Sequence, residues 1–287
     1  MKAEGVKMVR VFRWIAVSIA VWSVVIVVFA QTPTPSTRYT PERWRLIRPG
    51  LEYGIYLPLD STASVIVTRI DPDLFVFRTH YRPDDPLDGA GWAAEIPCAP
   101  VIVNGNFFNP DNSARGLVIA DEKIVDDEAF KDFGGLMQVD ETGAVRVRST
   151  IHEPYEGESL LQAVQGFPVL IYDGDALYRG GGNDQPARRT VIGQDRAGRI
   201  LLITVTDTGM YLDILAEYLA RTDLRIEIAV NFDGGTSTLL KLDSPYGNLF
   251  MVQPANAIPA VVAIYARERG GVCAPDSLVC ECAAIDV

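Results

Sequence analysis

Apolar and polar positions alternate with a period of two along most of this chain, and each run stops at a cluster of turn-forming residues. Residues 63–70 read as a strand closed by Asp71-Pro72, and residues 74–78 read as another. Residues 100–103 form a short apolar run that enters Asn104-Gly105-Asn106-Phe107-Phe108. Three pairs of runs predict hairpins: 117–120 with 123–125 across Asp121-Glu122, 135–139 with 144–147 across Asp140 to Gly143, and 189–193 with 199–205 across Asp195 to Gly198. Only one stretch has clear helical spacing. Met210, Ile214, Leu215, Tyr218 and Leu219 recur at intervals of three and four, between Thr208-Gly209 and Arg221-Thr222. It leads into the β-branched run 226–230, and residues 261–266 form a late strand. The pattern predicts an α+β domain dominated by sheet, with mixed or antiparallel strands and few helices. Regular strand–helix alternation is absent, which disfavours a doubly wound or barrel architecture.

The first thirty residues break this pattern. Lys2, Lys7, Arg10 and Arg13 precede an apolar run from Trp14 to Ala30, which predicts a signal peptide or signal anchor over residues 1–30. Val28-Phe29-Ala30 fits a cleavage site. If uncleaved, residues 14–30 would anchor the chain with the remainder outside the cytoplasm. The expected location is therefore extracytoplasmic, secreted or anchored. The alternation of proline and hydroxyl residues at 32–37 predicts an extended tether over 31–41, followed by one domain over 42–287.

Charge narrows the partners. The net charge is −11, and residues 1–30 carry four Lys/Arg against one Glu, so the exported part is more acidic than the whole. That excludes nucleic acid as the expected partner, while leaving room for a local cationic pocket. Cys98, Cys273, Cys280 and Cys282 all follow the export segment, where disulfides are expected. Four cysteines allow three pairings. The preferred reading gives Cys98 a C-terminal partner.

The segment richest in chemistry is Asn231-Phe232-Asp233-Gly234-Gly235-Thr236-Ser237-Thr238. A buried strand ends in a carboxylate, two glycines let the backbone approach a ligand, and hydroxyls follow. Such a place suits a sugar, a phosphate or a metal. A tight turn in which Asp233 satisfies its own amides explains the same residues. Asp207, in Thr206-Asp207-Thr208-Gly209 ahead of the helix, is a second carboxylate candidate, and a helix N-cap or Asx turn is the preferred reading of it. The only cation set on offer is Asp233, Asp207 and loop carbonyls, suited to calcium or magnesium; no dedicated ligand spacing supports it. His80 and His152 read as solvated loop histidines, which argues against a Ser-His-Asp triad.

Four segments in order resemble the phosphodiester glycosidase family: Val103 to Phe108; Gln165-Gly166-Phe167-Pro168-Val169-Leu170 with Asp173-Gly174; Arg189-Thr190-Val191-Ile192-Gly193; and Asn231 to Ser237. The resemblance covers roughly residues 60–266. It implies hydrolysis of the glycosidic bond of a sugar-1-phosphodiester in an extracytoplasmic glycan, or a carbohydrate or cell-envelope binding module on the same fold. By that resemblance Asp233 is the carboxylate at the anomeric carbon, as base or nucleophile; Asp207, outside the four segments, is the second candidate from its place on the turn alone. Arg189, ahead of Arg188, binds the phosphate by its guanidinium fork, and the amides of Gly234 and Gly235 add donors. Asn104, Asn106, Thr190, Asn231, Thr236 and Ser237 contact the sugar. The chain departs from the family in three places. Asn106 and Thr236 each replace a glycine, and the helix lacks the glutamate that often precedes Leu215-Ala216. The bulkier residues are expected to change which sugar fits.

Overall fold

Antiparallel pairing between neighbouring strands builds nearly the whole molecule. The computed structural model describes residues 39–41, 43–59, 61–126, 129–130, 133–181 and 184–267. Within them an eight-stranded sheet and two five-stranded sheets account for the main architecture. The export, anchor and tether expectations fall almost entirely on residues outside this set, as do Cys273, Cys280 and Cys282. Among the described residues, no helix is long and apolar enough to cross a membrane.

The period-two pattern sorts side chains between cores. In strand Ile200–Met210, Ile200 and Leu202 face a central core, while Leu201, Ile203 and Val205 face an outer one. Strand Val101–Asn104 sends Val101 and Val103 to the central core and Ile102 to a third cluster. Strand Gly135–Asp140 sends Met137 and Val139 inward and Leu136 to a fourth cluster. The central core thus takes side chains from all three sheets, and each sheet keeps an apolar outer face as well.

Two helices cover two of those outer faces. Helix Leu212–Ala220 buries Leu212, Leu215, Ala216, Tyr218 and Leu219 against the eight-stranded sheet; of the positions that marked it in the sequence, Leu215, Tyr218 and Leu219 are on this face, Ile214 is exposed and Met210 ends the preceding strand. Helix Gly89–Glu95 covers a five-stranded sheet and was not foreseen, because its glycines hide the periodicity. It is set by the Asp88 side chain, which accepts from Gly91 N at 2.7 Å, and by Trp92, whose Nε1 donates to Ile258 O at 3.0 Å.

The predicted hairpins form. Asp121 and Glu122, both at positive φ, close Val118–Ala120 onto Lys123–Asp126. The sheet content makes the fold mostly β, so of the α+β expectation the sheet-dominated, antiparallel part holds. Strands Leu51–Tyr56, Leu240–Ser244 and Gly247–Val252 went unpredicted. His80 corrects another expectation. It lies in strand Phe75–Tyr81, not in a solvated loop; its Nε2 is 2.9 Å from Tyr265 Oη, and burial pushes its pKa down to about 4. His152 is exposed and stacks on Tyr172 at 4.2 Å.

Candidate functional site

The loop after strand Ile226–Asn231 is held by its neighbours on two sheets. Phe232 N donates to Thr190 O at 2.8 Å, continuing the ladder to strand Ala187–Asp195. Asp233 N donates to Gly105 O at 3.3 Å, and Gly105 N donates to Ala260 O at 2.9 Å. Asp233 therefore sits where the eight-stranded sheet meets the sheet carrying Val101–Asn104 and Ala260–Ala266.

Asn104 is the brace of this junction. Its Nδ2 donates to Asp233 O at 2.7 Å and to Gly105 O at 3.4 Å; its Oδ1 accepts from Thr190 Oγ1 at 2.6 Å and from Leu239 N at 3.0 Å. An amide offers two donors and two acceptor sites, and all are occupied. Asn104 and Thr190, both expected to touch a sugar, are instead engaged with each other and are almost fully buried.

The Asp233 carboxylate accepts from Gly234 N at 2.8 Å and from the Ser237 hydroxyl. These contacts favour ionisation, but burial outweighs them and pushes its pKa above the usual carboxylate range. Gly234 is required here by close approach: a Cβ would lie 2.8 Å from Arg188 O. Gly235 takes φ +59 and opens the short 3₁₀ turn Gly235–Ser237. Thr236 is exposed, and its carbonyl accepts from Ala255 N at 2.6 Å.

The two arginines exchange their expected places. Arg188 Nε donates to Gly235 O at 3.0 Å and Nη1 to Gln253 O at 2.9 Å, so its guanidinium lies against the Asp233 loop. Among the described residues no carboxylate pairs with it and nothing accepts from its Nη2. Arg189 faces the other side of the sheet. Its Nη2 lies 2.7 Å from Asp184 Oδ1, and its Nε donates to Met210 O at 3.0 Å. The physical reason is the pleat, which sends adjacent side chains to opposite faces. Asp184 was missed in the sequence. It also accepts from Leu212 N at 2.7 Å through its other oxygen, supplying the helix start with its anion.

Asp207 is accordingly not the helix cap. It sits exposed at φ 58 in an irregular part of strand Ile200–Met210, where its carboxylate accepts from Thr206 Oγ1 at 3.0 Å. No hydrogen bond joins it to the Asp233 loop, and among the described residues no group of three or more His, Cys, Asp or Glu could hold a metal ion.

Asn106 and Asn231 do flank the loop. Asn106 Nδ2 donates to Phe107 O at 2.7 Å and Asn231 Nδ2 to Phe167 O at 2.9 Å, while neither Oδ1 has a protein partner. The Phe107 and Phe167 rings stack at 4.3 Å. A separate cleft of about 480 Å³, lined by Arg146, Arg148, Tyr172 and Arg196, contains none of these residues. Its three arginines are ion-paired.

A family model described as phosphodiester glycosidase matches residues 98–265. Among solved structures, the catalytic domain of zebrafish N-acetylglucosamine-1-phosphodiester alpha-N-acetylglucosaminidase, auto-inhibited by its pro-peptide, superposes with a TM-score of 0.59 at 18% identity. The match covers 80% of this chain and 87% of that one. A hypothetical protein from Synechocystis superposes with a TM-score of 0.55 at 14% identity, over 76% of this chain and 62% of that one. No protein among the curated sequences matches the chain.

Proposed function

Because the chain belongs to the phosphodiester glycosidase family, we propose that it is an exported hydrolase that cleaves the C1–O bond of a sugar-1-phosphodiester in an extracytoplasmic glycan. The observation that carries this reading is a half-buried carboxylate, Asp233, on a loop against which Arg188 of the neighbouring strand lays a guanidinium that no carboxylate neutralises among the described residues. The solved relative named above for an N-acetylglucosamine-1-phosphodiester supports the substrate class, and the basic and apolar first thirty residues support export. A disulfide from Cys98 to the C-terminal cysteines fits the same compartment.

In this mechanism Arg188 holds the phosphate, with Nη2 directed to its oxygens. Asp233 acts at the anomeric carbon, as base toward water or as nucleophile. As base, it takes a proton from water while the water oxygen bonds to C1; the C1–O electrons leave with the phosphomonoester. That leaving group is stable as an anion, so the reaction needs less general-acid help than an ordinary glycoside, which uses two carboxylates. This accommodates an Asp207 that makes no hydrogen bond to the Asp233 loop.

Arg188→Ala is expected to lower kcat/KM on a sugar-1-phosphodiester by about 10–100-fold, the worth of a hydrogen bond to a charged group, with little change in unfolding midpoint. Arg189→Ala is expected to do the reverse. It leaves Asp184 buried without its cation, which costs about 3–5 kcal/mol in stability. Steady-state kinetics and urea unfolding of both variants check the assignment. Full activity in Arg188→Ala would remove that residue from the site.

A second reading, a carbohydrate-binding module without turnover, is favoured by one observation: Asp233's hydrogen-bonding neighbours include no other carboxylate. Tight glycan binding with no release of reducing sugar would support it.

A further inference from the structure

We infer that the cleft between strand Val145–Ser149 and the end of the eight-stranded sheet binds a neutral saccharide, at a site separate from the Asp233 loop and independent of the hydrolase reading. The cleft holds about 480 Å³, inside the range of ~300–1,000 Å³ usual for small-ligand sites. Strand Val145–Ser149 is the edge of its own sheet, and Val147 N on that edge donates across to Gln194 Oε1 at 3.1 Å.

The strand register lays out the floor. Tyr172 pairs with Ile228, and Ile228 pairs with Gln194. Paired residues on neighbouring strands point to one face, about 4.8 Å apart, so an aromatic ring, an aliphatic side chain and an amide stand in a row. Ile228 belongs to the central core, while Tyr172 is 37% exposed, so this row is where the face of the core runs out into solvent. His152 stacks on the Tyr172 ring at 4.2 Å and fixes its plane. Glu227 is the extra residue where strand Ile226–Asn231 shifts register against Gln194 and Asp195. Such a bulge re-aims a side chain, and that of Glu227 forms part of the cleft wall.

Charge decides the class of ligand. The arginines of the cleft are engaged by carboxylates: Arg146 by Glu153, Arg148 by Glu158 and Arg196 by Asp173. Among the described residues, the Glu227 carboxylate has no such partner. An anion would meet that carboxylate and no free guanidinium, and a cation would meet three guanidinium groups. A neutral ring of hydroxyls meets neither obstacle. Its apolar face lies on Tyr172, its hydroxyls donate to Glu227, and they accept from the N–H groups that the half-exposed Arg146 and Arg196 keep beyond their ion pairs. Glu227 precedes Asp233 by six positions, and at about 3.3 Å per strand residue the two lie roughly 20 Å apart. A sugar seated in the cleft therefore leaves the Asp233 loop free.

The test is titration calorimetry of the full chain with cellohexaose, chitohexaose and mannohexaose, beside hexagalacturonate as the anion and the chitosan hexamer as the cation. At least one neutral hexasaccharide is expected to bind, and neither charged one more tightly. Tyr172→Ala and Glu227→Ala are each expected to weaken that binding by about tenfold or more, the worth of a stacked ring or of a hydrogen bond to a charged group. Arg188→Ala is expected to leave it unchanged. Absence of any neutral binder overturns the site, and so does tighter binding of either charged hexamer; both results come from wild type alone. Affinity that survives Tyr172→Ala and Glu227→Ala, or that is lost in Arg188→Ala, also overturns it. Turnover of a methyl sugar-1-phosphodiester by Tyr172→Ala is expected to match wild type. Failure of the hydrolase reading thus shows as no turnover in either protein, and failure of the cleft as no binding whether or not turnover occurs.

Discussion

Asp233→Asn is expected to lower kcat by about 10²–10⁴-fold on a sugar-1-phosphodiester, the usual range for a positioned acid–base group. The same substitution is expected to raise stability at neutral pH. Burial raises the pKa of Asp233 above its ordinary value, so its contribution is present below the unfolded pKa and is lost as pH rises through the folded one. At pH 7 the wild-type chain holds a desolvated charge that the asparagine does not. Thermal unfolding should therefore favour the variant at pH 7, and the difference should shrink as the pH falls into the carboxylate range. Activity of the wild type should run the other way, falling as the pH drops through the raised pKa and the carboxylate takes up its proton. A variant with undiminished turnover would remove Asp233 from the chemistry. One that is less stable at pH 7 would show that the carboxylate serves mainly as a turn-former.

Asn104→Asp is expected to destabilise the fold by about 3–5 kcal/mol, because it buries an uncompensated charge. The aspartate keeps both acceptor contacts, to Thr190 Oγ1 and Leu239 N, but sets a second oxygen against Asp233 O, where Nδ2 now donates at 2.7 Å. Had Asn104 been a sugar ligand on a self-sufficient loop, the change would raise KM and leave unfolding untouched. Urea denaturation at pH 7 separates the two roles: the brace predicts a large fall in midpoint, and an unchanged midpoint would return Asn104 to the binding surface. Asn104→Ala introduces no charge but strips partners from Thr190 Oγ1, Leu239 N and Asp233 O, at about 1–3 kcal/mol for each group left unpaired, and is expected to lower the midpoint at least as much.

What could be read from the residues was local. A β-branched run ending in Asp-Gly-Gly located the loop, because strand, carboxylate and glycine turn are all written within ten positions. The hairpin at Asp121-Glu122 and the helix around Leu215 were legible for the same reason. What escaped depended on partners far along the chain. Asn104 resembles a ligand until Thr190 and Leu239, 86 and 135 residues away, take up its oxygen. The helix start draws its anion from Asp184, 28 residues before it, so the nearer Asp207 took that role in the sequence. Arg188 and Arg189 differ by one position, and one position on a pleated strand is the difference between two faces. The pairing with strand Ile200–Met210 shifts register between Ala187 and Arg189, so counting along the sequence could not settle which arginine turns inward. The family motif drew attention to the arginine paired with Asp184, and the fold lays the neighbouring one against the Asp233 loop.

The most direct test follows the oxygen of water. Hydrolysis of a sugar-1-phosphodiester by the full chain in ¹⁸O-labelled water should place the label on the anomeric hydroxyl of the released sugar, with none in the phosphomonoester, and the signal should vanish in Asp233→Asn. Label in the phosphomonoester would mean attack at phosphorus and would contradict a carboxylate working at the anomeric carbon.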